Sequence, residues 1–196
     1  MRLASVLCVA CLAGSAAAGP VLNFNEATGS TGFNNDQSVG WQFDVLSLIT
    51  VTHLSWHDDG GDGLSRAHEV GIWSPSGALI TSAVVPAGTA ATLDGQWRVV
   101  PISPVNLTPG VGYIVGGYNG LNSTDRLAAD VTHTFVDPAI RFIDATFSGA
   151  NGIFERPTNF SSATTGFYGP SFNTIPAPSS LVLLGIGGLA SARRRR

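Results

Sequence analysis

Turn-forming clusters punctuate the chain at short intervals, and between them no stretch keeps apolar residues at helical spacing over three turns. The clusters are Asp59-Gly60-Gly61, Ser74-Pro75-Ser76-Gly77, Pro86-Ala87-Gly88, Leu93-Asp94-Gly95 and Thr108-Pro109-Gly110. The segments they bound are short and rich in Val, Ile, Thr and aromatic residues, the side chains that suit a pleated surface. They read as strands over residues 39–45, 49–56, 68–73, 79–85, 97–102, 113–118, 132–136 and 140–147. Short strands at such spacing predict an all-β fold, an antiparallel β-sandwich of jelly-roll or immunoglobulin-like type.

Both ends of the chain read as processing signals outside that fold. Arg2 supplies a positive charge, an apolar run follows from Leu3, and small residues lead to Ala16-Ala17-Ala18. That order predicts a secretory signal peptide over residues 1–18, cleaved before Gly19. The apolar run is too short for a membrane span, which takes about 20 residues. Cys8 and Cys11 both fall within it, so the mature chain has no disulfide, thiol nucleophile or thiolate metal ligand. Residues 19–175 hold all thirteen acidic residues. Against these stand Arg66, Arg98, Arg126, Arg141 and Arg156, with no lysine, a formal charge of −8. Binding to a phosphate backbone relies on lysine and arginine, so nucleic acid is excluded as a partner.

The other end carries Pro176-Ala177-Pro178, an apolar stretch over residues 181–192, and then Arg193, Arg194, Arg195 and Arg196. The arginines would hold that end in the cytoplasm by the positive-inside rule. Proline motif, apolar helix and basic cluster together resemble the PEP-CTERM sorting signal of exported bacterial proteins, with Pro-Ala-Pro standing where Pro-Glu-Pro is usual. The resemblance implies recognition by an exosortase-type processing enzyme and membrane contact through the C-terminal helix before processing. It also implies residence in the cell envelope, on the cell surface or in the extracellular matrix. The predicted organisation is a signal peptide at 1–18, a sandwich domain at 19–160, a linker at 161–175 and the sorting signal at 176–196.

Within the domain, Leu107-Thr108-Pro109-Gly110-Val111-Gly112-Tyr113 places a tyrosine just after a turn and ahead of Ile114-Val115. It resembles the tyrosine corner of Greek-key sandwiches, whose phenol bonds back to upstream backbone. Residues 40–118 also resemble an uncharacterised domain family of exported bacterial proteins. Gly40-Trp41-Gln42-Phe43, Asp59-Gly60-Gly61-Asp62-Gly63-Leu64 and His68-Glu69-Val70-Gly71-Ile72-Trp73 are among the matching stretches. The resemblance implies secretion and the fold, and no activity.

The densest chemistry lies in His57-Asp58-Asp59-Gly60-Gly61-Asp62-Gly63. Asp58, Asp59 and Asp62, joined by Glu69, could converge oxygens on calcium, with glycines permitting the tight turns. Gly60 occupies an EF-hand ligand position and the flanks read as strands, so a sandwich-loop site is the form expected. The bland alternative is a solvated acidic turn. Trp56 and Trp73 flank this loop and are the rings best placed to stack on a sugar, ahead of Tyr118 and Tyr168. Trp41 and Trp97 read as core, and core packing is the alternative reading for Trp56 and Trp73, which also sit in expected strands. Four histidines (His53, His57, His68 and His133) have no zinc-site spacing, and neither a G-x-S-x-G nor an H-E-x-x-H pattern occurs.

No catalytic residue is assigned on these grounds. The expected function is that of a non-catalytic envelope or extracellular-matrix protein adhering to exopolysaccharide. The alternatives are a structural or protein-interaction module without a small ligand, and a polysaccharide-acting hydrolase.

Overall fold

A computed structural model describes residues 18–26, 30–32, 36–161 and 166–175, the backbone alone being described for residues 30–32. The expected signal peptide, apart from its last residue, and the expected sorting signal with Pro176, Pro178 and Arg193 to Arg196 lie outside the described residues. The strands, in chain order, begin with β1 (Gly19–Pro20), β2 (Leu22–Asn25), β3 (Ser30–Gly32), β4 (Gln37–Val45) and β5 (Ile49–His57). They continue with β6 (His68–Trp73), β7 (Leu79–Val85), β8 (Thr92–Asp94), β9 (Trp97–Leu107) and β10 (Gly110–Asn119). The last are β11 (Leu127–Ala129), β12 (Thr132–Val136), β13 (Ile140–Phe147), β14 (Asn159–Phe160) and β15 (Pro170–Ile175). No α-helix occurs among the described residues.

Two antiparallel sheets face one another. One has five strands in the order β1-β15-β5-β9-β8, the other six in the order β14-β13-β4-β10-β6-β7, and two short ladders, β11-β3 and β12-β2, complete the set. The chain is therefore an all-β sandwich. Consecutive strands β4 and β5 lie in different sheets, as do β9 and β10. Strands β6, β7, β12 and β13 have the bounds expected from their sequences, whereas β4, β5, β9 and β10 run longer.

The core between the sheets is aromatic. Trp41 of β4 stacks on Phe172 of β15, rings 5.8 Å apart and 11° from parallel. Phe43 packs on the same ring at 5.1 Å. The indole N–H of Trp41 donates across the gap to the carbonyl of Pro170, 3.0 Å away, so the polar edge of a buried ring is satisfied by the opposite sheet. Close backbone approach within the second sheet depends on Gly40, where a Cβ would lie 2.0 Å from the carbonyl oxygen of Val115. The Tyr113 hydroxyl donates to the carbonyl of Thr108 at 3.0 Å, which is the corner contact expected from that segment.

The expectation of a linker over residues 161–175 is corrected by β15, which lies between β1 and β5. Its polar composition suggested a solvated connection. Instead Ser171, Asn173 and Thr174 are buried. Asn173 donates to Asp94 at 2.8 Å and Thr174 to Asp137 at 2.9 Å, and those bonds offset the burial of these two side chains. Phe172 is fully buried.

Register also defines two poles. From Ile49 to His57, β5 spans roughly 26 Å. At the Ile49 end lie the 46–48 and 108–109 connections, because Ile49 pairs with Leu107 and Val45 with Gly110. At the His57 end lie the acidic loop and the connection that follows β10.

The inter-sheet stack yields a direct expectation. Phe172→Ala should lower the unfolding free energy by about 3–5 kcal/mol through the transfer and cavity terms of a buried aromatic ring. Urea denaturation followed by tryptophan fluorescence measures it, and a change below about 1 kcal/mol would contradict an interior β15.

Candidate functional site: an acidic cleft at the His57 pole

The loop after β5 is built around a buried ion pair. Asp58 accepts from the Nε of Arg98 on β9 at 2.6 Å, and the two side chains are 2 % and 6 % exposed. Both carboxylate oxygens also accept from the backbone N–H of Gly63, at 3.2 and 3.1 Å. Arg98 reaches further, donating to the carbonyl oxygens of Gly61 at 2.9 Å and Ala91 at 3.2 Å. One guanidinium thus neutralises the first aspartate and clamps the backbone of the loop that follows it. Gly63 makes the return possible: its φ is +110°, and a Cβ there would come within 2.9 Å of the Gly88 backbone. Leu64 and Gly88 then exchange backbone hydrogen bonds of 3.2 and 2.6 Å, tying the loop to the segment after β7.

A second cluster holds the facing wall. The Asp125 carboxylate accepts from the Ser65 N–H at 2.7 Å, the Ser65 hydroxyl at 2.8 Å and the Arg66 N–H at 3.2 Å. His68 Nε2 lies 2.7 Å from the same carboxylate, and its Nδ1 lies 3.0 Å from the carbonyl oxygen of Tyr118. An acceptor stands at each ring nitrogen, and the two contacts fix the orientation of the ring. The ring of His68 is fully buried and stacks flat on Trp56, centroids 3.8 Å apart. Burial acts to raise the pKa of Asp125. The hydrogen bonds from His68 and Ser65 outweigh it and bring the carboxyl down to about 2.

Between these walls opens a cleft of about 220 Å³ lined by Asp58, Asp59, Asp62, Ser65, Thr124 and Arg126, among others. Asp59, Asp62, Ser65, Thr124 and Arg126 are exposed, and Arg126 stands 4.0 Å from Asp59.

The expected site residues are only partly brought together. Asp58, Asp59 and Asp62 share the cleft, but Asp58 is committed to Arg98 and Glu69 on β6 does not line it. Among the described residues no group of three or more His, Cys, Asp or Glu side chains is disposed to hold a metal ion. The carboxylate set expected for calcium is therefore not assembled, and Arg98 supplies the positive charge around which the loop folds. Trp56 and Trp73 are also corrected: they are 0 % and 5 % exposed and offer no face to a sugar. Trp56 backs His68, and Trp73 packs on Phe154 at 5.1 Å. Arg98, Ser65, Asp125 and Arg126 went unread at this site. An arginine inside an apolar strand of an acidic domain was a usable signal for Arg98, since a buried guanidinium needs a carboxylate. Asp125 had no comparable signal, because apart from Ser123 the partners of its carboxylate lie 57 to 60 positions away.

A family model, Domain of unknown function (DUF4082), matches residues 26–172, well over half of the chain. The chain belongs to this family. The DUF4082 match runs through the acidic loop, the Asp125 cluster and into β15, so both walls of the cleft fall inside the domain. A second model, the PEP-CTERM protein-sorting motif, matches residues 174–196. The protein is exported, and that motif marks it for recognition by an exosortase at the membrane. No curated protein and no solved structure matches the chain.

Two measurements test the site's electrostatics. Arg98→Met leaves a buried carboxylate without its partner and should cost about 3–5 kcal/mol of stability, while Asp58→Asn combined with Arg98→Met recovers part of it. Chemical denaturation of the wild type and the two variants checks this. Asp125 is depressed from 3.8 to about 2, so its stabilisation is complete above pH 4 and is lost as pH falls through 2. That contribution is about 2 kcal/mol. Asp125→Asn should flatten the stability profile between pH 4 and 2, which urea midpoints across that range will show.

Proposed function

We propose that this DUF4082 protein is a non-catalytic module of the cell envelope or extracellular matrix that adheres to exopolysaccharide through the cleft at the His57 pole. The observation that carries the reading is the cleft's lining. Asp59 and Asp62 offer acceptors, Arg126 offers donors, and Ser65 and Thr124 offer hydroxyls that do either. Vicinal sugar hydroxyls are donors and acceptors at once, and a concave site with a few placed polar groups suits them. The base of the site is rigid because Asp58 and Asp125 spend their hydrogen bonds inside the protein. Without an exposed tryptophan at the rim, affinity for one short oligosaccharide is expected to be low, and retention on a surface comes from repeated units.

The absence of catalysis in this proposal has its own support. Glycoside hydrolysis needs a carboxylic acid kept protonated near neutral pH opposite a second carboxylate. Asp125 is pushed in the opposite direction, and Asp58 is neutralised by Arg98.

A glycan array probed with the secreted protein, with calcium and then with chelator, tests the proposal. Binding to acidic or neutral exopolysaccharide fragments should be unaffected by chelator and reduced at least ten-fold in Asp62→Ala/Arg126→Ala. Binding abolished by chelator would instead place a cation in the cleft. No binding by the folded protein would favour a protein-interaction module.

A further inference from the structure

Both ends of the folded domain emerge at the same pole. Ile175, the last residue of β15, pairs with Thr50 at the start of β5, and Gly19, the first of β1, pairs with Thr174. The segment that follows β15 therefore leaves the Ile49 end of the sandwich. Its apolar stretch begins at Leu181, six positions on, a reach of at most about 20 Å.

This pole carries an apolar tip. Leu46 and Leu48 in the connection between β4 and β5 are 53 % and 45 % exposed, and Val111 at the start of β10 is 70 % exposed. Val45 pairs with Gly110 in an antiparallel ladder, so Leu46 lies just past that pair toward the pole and Val111 one residue inside it, in the irregular stretch between Gly110 and Tyr113. Exposed leucine and valine side chains gathered at one end of a sandwich mark an interaction surface more often than isolated ones do. The neighbouring carboxylates spend hydrogen bonds inside the protein. Asp44 is buried against Arg141, 2.6 Å away, and accepts from the Gly112 N–H at 2.9 Å. Asp137 accepts from Ala139 and from Thr174, both at 2.9 Å. Arg141 is exposed, at the level where a guanidinium meets lipid headgroups.

We propose that this pole is a lipid-contact surface: while residues 176–196 hold the chain at the membrane, Leu46, Leu48 and Val111 enter the bilayer interface and stand the sandwich upright on it. The occupant is the bilayer because the chain after Ile175 reaches an apolar stretch within six positions, carries four arginines beyond it, and is too short to place this pole far from the membrane. The His57 pole then faces outward, roughly 26 Å further from the lipid. The inference does not depend on what the acidic cleft binds.

The test uses the full chain with Cys8 and Cys11 changed to serine and one cysteine introduced at Val111→Cys or Asp62→Cys. Each is labelled with an environment-sensitive fluorophore. The probe membrane is a phosphatidylcholine–phosphatidylglycerol vesicle containing nitroxide-bearing lipid. Co-sedimentation with both labels intact is expected, with a blue shift and at least two-fold quenching at position 111 and neither at position 62. Leu46→Ser/Leu48→Ser, at exposed sites and so without cost to folding, should halve the quenching at position 111 or reduce it further. A label at position 111 that stays in water, equal quenching at both positions, or a chain that does not sediment with vesicles overturns the proposal. A blue shift at position 111 without lipid quenching assigns the surface to a protein and overturns it as well.

Discussion

Trp41 lying flat on Phe172, with its indole N–H bonded to the carbonyl of Pro170, joins the two sheets where no covalent link is available. Both cysteines fall in the segment expected to be removed on export, so the sandwich holds together by burial and hydrogen bonding alone. An aromatic ring is well suited to that task, since it removes a large area from water and its polar edge can still find a partner. Trp97 repeats the device, donating to Asn23 at 3.0 Å. Around these rings the layers are fixed closely enough that Gly40 and Gly117 have no room for a methyl group.

The same economy shapes the cleft. Asp58 and Arg98 form an ion pair in a place where either alone would be strongly destabilising. Bonding by Arg98 to Gly61 converts a flexible glycine-rich stretch into a fixed wall. The opposite wall depends on His68, which a sequence reader would pass over as one more core histidine. It connects Trp56, Tyr118 and Asp125, three residues from separate parts of the chain. The exposed carboxylates Asp59 and Asp62 are therefore presented by a scaffold with few spare bonds of its own.

Much of the fold was legible in local patterns because strand formation and turn chemistry are local. Three of the four strands with matching bounds are closed by a proline that cannot continue a ladder: Pro75 after β6, Pro86 after β7 and Pro138 after β12. Strand β9 extends past the expected 97–102 because its pairing with β5 continues beyond Pro104 after a register shift, a long-range contact that local pattern does not carry. β15 was missed because its serine, asparagine and threonine have the composition of a linker, and the burial of Asn173 and Thr174 rests on the distant partners Asp94 and Asp137. The site was half legible for a related reason. Loop aspartates are visible in sequence, but which is exposed and which is locked inside depends on an arginine 40 positions away. Trp56 and Trp73 show the converse, since adjacency to a polar loop says nothing about which face of the strand a ring occupies.

The interior position of β15 also bears on when this protein can fold. Its partner β5 ends more than one hundred residues earlier, so the five-stranded sheet remains open until nearly the whole domain is available. An exported chain that crosses the membrane N-terminus first delivers β15 last among its strands, directly ahead of the sorting motif. The final strand to dock and the first residues of the processing signal overlap at 174–175. Closure of the sandwich is thus timed to the arrival of the segment the exosortase recognises, and that order favours presenting the processing signal beside a completed domain.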